Sequence, residues 1–295
     1  MPRVALQDYL QIRREAVNRE LDRLLPAGNV VPEALHAAMR HSMFAGGKRI
    51  RPILAIAAAE ACDGPPGIEA AACALECVHT YSLIHDDLPA MDNDDFRRGQ
   101  PTCHKAYGEA MAILAGDGLL TIAFQIIAAL DSPADTRVAL AAELSVAAGT
   151  EGGMIAGQVA DLESEGKPSS AAQVEFIHRA KTAAMIRASV RFGGLFAGAD
   201  AVRYEALSEF GGKIGLAFQI VDDILDVVST SEELGKTAGK DQDQRKATYP
   251  AVFGLAESRR RAGHCLAQGL DALSVFGDSA WALREIAGLI VSRSN

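Results

Sequence analysis

Residues 214–228 read IGLAFQIVDDILDVV, and the fold follows from how that stretch is interpreted. Apolar side chains such as Ile214, Phe218, Ile220, Val221, Ile224 and Leu225 fall on every side of a 3.6-residue turn. A helix that is apolar nearly all round is a buried helix. Three aspartates are set into it. Asp222 and Asp226 stand four residues apart, so on a helix their carboxylates share a face. Asp223 is turned roughly 100° away and reaches a cation held there only from the side or through water. Buried carboxylates without a counter-charge are strongly unfavourable. The cluster therefore calls for a cation; a satisfied structural salt bridge is the alternative.

The same arrangement occurs upstream, in SLIHDDLPAMD at 82–92. An apolar helix over 68–87 runs into Asp86 and Asp87. Asp86 and Asp92, six apart, do not share a helical face. Pro89 resolves this, because it cannot continue a helix and lets the chain bring Asp92 back beside Asp86. Asn93, Asp94 and Asp95 extend the acidity before Arg97 and Arg98 reverse it. Carboxylate oxygens favour hard cations, and Mg²⁺ is commonly held by one or two carboxylates plus substrate phosphates. Two such clusters imply a diphosphate bridged by Mg²⁺ between facing helices. Local basic groups suit the same ligand: Lys48, Arg49 and Arg51 after Gly46-Gly47, then Arg97-Arg98, Lys181, and Lys236, Lys240 and Lys246. Arg contacts phosphate bidentately and Lys acts as a point charge. GxxxxGK[ST] is absent, which argues against a P-loop.

The rest of the chain agrees. Of 295 residues, 49% are apolar and only 5% aromatic, alanine is abundant and β-branched runs are few, which points to an all-α protein. A net charge of −9 argues against general nucleic-acid binding. Helices are expected at 4–25, 32–44 (with Pro32 at the first helical position), 51–62, 68–87, 105–130, 135–160, about 171–197, 201–228, 248–271 and 279–292. No composition shift marks a boundary, so residues 1–295 are expected to form a single domain. The polar stretch 229–247 is long enough to be functional and is a candidate lid. Cys62, Cys73, Cys77, Cys103 and Cys265 form no paired framework, and buried reduced thiols in a cytoplasmic protein are expected. The N-terminus does not read as a signal peptide, and no uncharged apolar run reaches the length of a membrane span.

Six motifs then occur in order: GGKRIRP (46–52), HTYSLIHDDLPAMDNDDFRRGQPTCH (79–104), KT (181–182), FQIVDDILD (218–226), LGK (234–236) and KATYP (246–250). Together they resemble the trans-isoprenyl diphosphate synthases of the short-chain kind, closest to bacterial farnesyl diphosphate synthases. The resemblance implies an isoprenoid synthase-type bundle of about ten or more helices around a central apolar cavity. It implies a homodimer, and substrates that are isopentenyl diphosphate and an allylic diphosphate. It also implies three Mg²⁺ per active site, with Asp86, Asp87 and Asp92 holding two and Asp222 a third, assisted by Asp223 and Asp226. Lys48, Arg51, His79 and Arg98 match positions that bind isopentenyl diphosphate. Arg97, Lys181, Lys236 and Lys246 match contacts to the allylic diphosphate, and Thr182 and Gln219 match groups whose oxygens face the developing allylic cation.

Chain length is expected to depend on Tyr81 and its neighbour Ser82. Tyr81 lies five residues before Asp86, about 7.5 Å up the helix, where a bulky ring floors the pocket and favours a C15 product; an ordinary core tyrosine is the alternative. Rival readings are a geranyl or geranylgeranyl diphosphate synthase, a terpene cyclase, a non-catalytic synthase subunit, and a helical scaffold. A cyclase needs no second diphosphate site, a non-catalytic subunit predicts degraded aspartate motifs, and a scaffold leaves the buried carboxylates unexplained.

Overall fold

The computed structural model describes residues 5–228 and 247–292, and nearly all of its regular structure is helical. At the centre is α4 (Ile68–Asp86), whose Ala71, Ala72, Cys73, Ala74, Leu75, Cys77 and Val78 are fully buried. So many small side chains allow neighbouring helices to approach from several directions. Around α4 lie α1 (Leu6–Leu24), α2 (Glu33–Met43), α3 (Ile50–Ala61) and α6 (Glu109–Ala128), joined by α10 (Ala184–Ala197). A further group of helices continues the bundle: α11 (Ala201–Val228) packs on α10, on α13 (Leu255–Ala272) and on α14 (Trp281–Ser292). Leu54, Phe210 and Leu283 meet in the core between α3, α11 and α14. Each such side chain contributes about 1.5–3 kcal/mol on burial. All five cysteines are free and buried, as expected.

Several helices are shorter than the sequence pattern implied. The span 105–130 divides into α5 (Cys103–Tyr107) and α6 at Gly108, and 248–271 divides into α12 (Tyr249–Phe253) and α13 at Gly254; these glycines have φ of 86° and 77°, open to few other residues. The span 135–160 is two helices, α7 (Ala134–Ala148) and α8 (Met154–Ser164), broken across Gly149–Gly153. Pro32 lies just before α2 rather than inside it. The final helix starts at Trp281, after a 3₁₀ stretch over Leu273–Ala280. The acidic turn is followed by a small antiparallel hairpin, Phe96–Arg97 against Gln100–Pro101, which the sequence pattern did not suggest.

Among the described residues, α6 alone is long and apolar enough to cross a membrane, with 39% of its apolar window buried in the fold. Asp117 interrupts the run, so no uncharged stretch of that length exists. Segment 229–246, with Lys236, Lys240 and Lys246 and most of the candidate lid, lies outside the described residues.

Candidate active site

The first aspartate cluster is shaped by its own backbone. After α4 ends, Asp92 N–H donates to the Asp86 carbonyl at 2.8 Å, Asn93 N–H to Leu88 at 3.1 Å and Asp94 N–H to Asp87 at 3.2 Å. The break beside Pro89 thus returns Asp92 to Asp86, as the spacing required. Burial raises Asp86 to about 6, with Lys181 pulling its pKa down and Asp92 pushing it up. That carboxyl is under-compensated by protein charge, and a cation would relieve it. Asp87 differs. It is 3% exposed, and Arg97 engages it bidentately, Nε donating at 2.8 and 2.9 Å and Nη2 at 2.5 Å. Asp87 and Arg97, expected on metal and allylic diphosphate respectively, are thus paired with each other.

The second cluster divides in the same way. Asp222 is exposed and its charge reaches Arg51, whereas Asp226 is 4% exposed. Asp223, expected to assist a metal, is 3% exposed and ringed by donors. Gln219 Nε2 donates to its Oδ1 at 3.0 Å, and Tyr249 N–H to its Oδ2 at 2.8 Å. His178 Nε2 lies 3.2 Å from the same Oδ2. Burial lowers His178 to about 3, so it meets Asp223 as a neutral imidazole. Among the described residues no three His, Cys, Asp or Glu side chains are gathered into a ready cation cage. The donor set instead suits a hard cation whose shell substrate oxygens complete.

Lys181 and Thr182 lie in a π-helical turn, His178–Ala183, between α9 (Ala171–Ile177) and α10. This wide turn is gripped from two sides. A Cβ on Gly157 of α8 would fall 2.2 Å from Lys181 N, and one on Gly215 of α11 would fall 2.6 Å from Ala183 Cα. Lys181 Nζ donates to Asp161 Oδ2 of α8 at 2.7 Å. Thr182 Oγ1 donates to Gln219 Oε1 at 2.7 Å. Because Asp223 accepts from the Gln219 amide nitrogen, the amide oxygen faces Thr182, and the Thr182 lone pairs are left for the cavity it lines. Asp161, Gln158 and His178 belong to this site although the motifs did not include them.

Two cavities meet here. One, of about 510 Å³, is basic: Arg14, Gly46, Gly47, Lys48, Arg51, His79 and Arg98 line it. Burial and the arginines around it hold His79 well below the usual imidazole range, so it is neutral. Arg98 Nη1 donates to the Gly46 carbonyl and secures the loop. Arg49 lines the same cavity, but its guanidinium is occupied by Glu76 Oε1 at 2.7 Å, the Met43 carbonyl at 2.6 Å and Asn18 Oδ1 at 2.9 Å. The other cavity, of about 410 Å³, is lined by Asp86, Lys181, Thr182 and apolar groups including Leu83, Met91, Met154 and Leu162. Arg51 and His79 line both. Tyr81 and Ser82 line the apolar one; Tyr81 is 6% exposed and its ring meets His85 edge-on at 5.8 Å.

A family model described as polyprenyl synthetase matches residues 32–273. A farnesyl diphosphate synthase of Geobacillus stearothermophilus is 49% identical over 265 residues, 88% of this chain and 89% of that one. A geranylgeranyl diphosphate synthase of Cyanophora paradoxa is 45% identical over 294 residues, 98% of this chain and 97% of that one. Among solved structures, a geranyltransferase of Helicobacter pylori complexed with magnesium and isoprenyl diphosphate superposes with a TM-score of 0.82 at 34% identity, covering 96% of each chain. Fold and site together place the molecule among the all-α isoprenyl synthases. The chain belongs to the polyprenyl synthetase family, whose short-chain members are prenyltransferases.

Proposed function

We propose that the chain condenses isopentenyl diphosphate with dimethylallyl or geranyl diphosphate head to tail, with Mg²⁺, and releases farnesyl diphosphate. One observation carries the reading: a basic cavity and an apolar cavity that bears Asp86 adjoin through Arg51 and His79. That is the layout for an anionic nucleophile beside a prenyl chain whose leaving group sits on metal.

Asp86, Asp92 and Asp222 are the residues that would hold Mg²⁺, with Asp226 behind Asp222. Held there, Mg²⁺ would supply Lewis-acid neutralisation of the charge on the departing diphosphate. Lys181, fixed by Asp161, adds a preorganised positive charge on the same side. Thr182 Oγ1, oriented through Gln219 and Asp223, presents oxygen lone pairs to the allylic carbon as it becomes cationic. Leu83, Met91, Met154 and Leu162 exclude water from that carbon. Lys48, Arg51 and Arg98 hold the second diphosphate, placing its double bond across the junction. Carbon–carbon bond formation is followed by loss of a proton, which the departing diphosphate accepts. Tyr81 favours C15 over the C20 alternative because its buried ring stands in the cavity wall.

A homodimer would cover the outer face of α6, where Ile113 and Leu114 are 46% and 53% exposed. The five buried thiols suit a reducing cytoplasm. The test is incubation of purified protein with Mg²⁺, isopentenyl diphosphate and each allylic starter, followed by product sizing. A C15 end product is expected. No elongated product would defeat the proposal, and a C20 end product would defeat the part played by Tyr81.

A further inference from the structure

The basic cavity contains a cation that no motif includes. Arg14 comes from α1, more than thirty residues before the Gly46–Gly47 loop, yet it lines the cavity with Lys48, Arg51 and Arg98. Its neighbour Arg13 is turned away and pairs with Glu60 of α3. One turn after Arg14, Asn18 accepts a hydrogen bond from Arg49 Nε at 2.9 Å. Residues four apart share a helical face, so Arg14 and Asn18 both address the loop. The Asn18 contact is anchored deeply: Arg49 and Glu76 are 3% and 2% exposed and pair at 2.7 Å. Arg49 has a left-handed backbone, φ 53° and ψ 35°, which turns its side chain inward as the loop enters α3. This pair also neutralises Glu76, the one acid lining the cavity. Arg14 makes no ion pair or hydrogen bond within the described residues, so its guanidinium remains for a ligand.

We propose that Arg14 is a diphosphate-binding residue for the isopentenyl substrate, carried to the cavity by the docking of α1 through Asn18, Arg49 and Glu76. The inference rests on the function proposed above and adds a specificity-determining residue from outside the motifs. Arg14 borders only the basic cavity of the two that meet at Arg51 and His79. Its contribution therefore falls on one substrate and not on the allylic one.

The test is steady-state kinetics of the full-length protein and its Arg14→Gln, Arg14→Lys and Arg19→Gln variants, with Mg²⁺, isopentenyl diphosphate and geranyl diphosphate. Arg14→Gln is expected to raise KM for isopentenyl diphosphate about tenfold, the size of one charge-assisted contact, with KM for geranyl diphosphate held within about twofold. Arg14→Lys is expected to fall between, and Arg19→Gln, an exposed cation of α1 that does not line the cavity, to behave as the parent. An unchanged KM for isopentenyl diphosphate would overturn the inference. So would an equal rise for both substrates, or an equal effect of Arg19→Gln. If the parent protein shows no turnover, the proposed function itself has failed. Calorimetric titration with inorganic pyrophosphate without metal then still tests Arg14: about tenfold weaker binding to Arg14→Gln is expected, and equal binding would refute it.

Discussion

The two aspartate clusters look alike as text and are built differently. Asp86-Asp87…Asp92 sits where a helix stops, and backbone hydrogen bonds of the following turn give it shape. Asp222-Asp223…Asp226 sits within a continuous helix, and partners far along the chain, His178 and Tyr249, give it shape. In each the middle aspartate is the one held by protein donors: Asp87 by Arg97, and Asp223 by Gln219 and Tyr249, with His178 alongside. Three carboxylates in a motif therefore do not share one environment. Asp86 lines the apolar cavity, whereas Asp87 and Asp223 are anchored by protein partners.

Substitution separates the two roles. Asp86→Ala or Asp222→Ala is expected to lower kcat by at least about a thousandfold, with the circular dichroism spectrum and cooperative melting retained. Near-normal turnover in both variants would end the metal assignment. Asp223→Ala is expected to act on stability as well, because Gln219 and the Tyr249 amide lose a buried acceptor and His178 loses its neighbour. A loss of about 3 kcal/mol is expected in denaturant unfolding. Asp87→Ala should cost less, about 1 kcal/mol, since the Arg97 side chain is 32% exposed and water can replace its partner. The reverse order would contradict the division between local and long-range support.

A smaller effect concerns pH in the metal-free protein. Asp86 has its folded-state pKa raised to about 6, above its unfolded value. The neutral form therefore favours the fold, fully so below about pH 4, and that contribution disappears as pH rises through about 6. The stability of the parent relative to Asp86→Asn is expected to fall across this window, by about 3 kcal/mol at most. A pH-independent difference would contradict the burial argument. The mildest change is in product distribution: Tyr81→Ala is expected to shift the end product from C15 towards C20 with turnover kept, and an unchanged C15 product would count against Tyr81 as the cavity's limit.

Much of this was legible in the chain. The all-round apolar pattern of 214–228 identified a buried helix, and Pro89 required the turn that brings Asp92 to Asp86. Gly149, Gly152 and Gly153 were a visible signal of the break between α7 and α8, outweighed by the alanines around them. The π turn at Lys181–Thr182 left no trace in local propensity, because it depends on close approach by Gly157 and Gly215 from distant helices. The pairing of Asp87 with Arg97, and of Asp161 with Lys181, was likewise invisible, since spacing shows which charges are present but not which of them meet.

If the two aspartate clusters form one site, ligand-induced stabilisation depends on both of them. The thermal midpoint is measured for the parent, Asp86→Ala and Asp222→Ala with and without Mg²⁺ and pyrophosphate together. A ligand at 100 times its dissociation constant stabilises by about 2.7 kcal/mol. The parent is predicted to rise accordingly, and either substitution alone to abolish most of the rise. A parent indifferent to the pair, or a full rise in either variant, would show that the clusters do not act together.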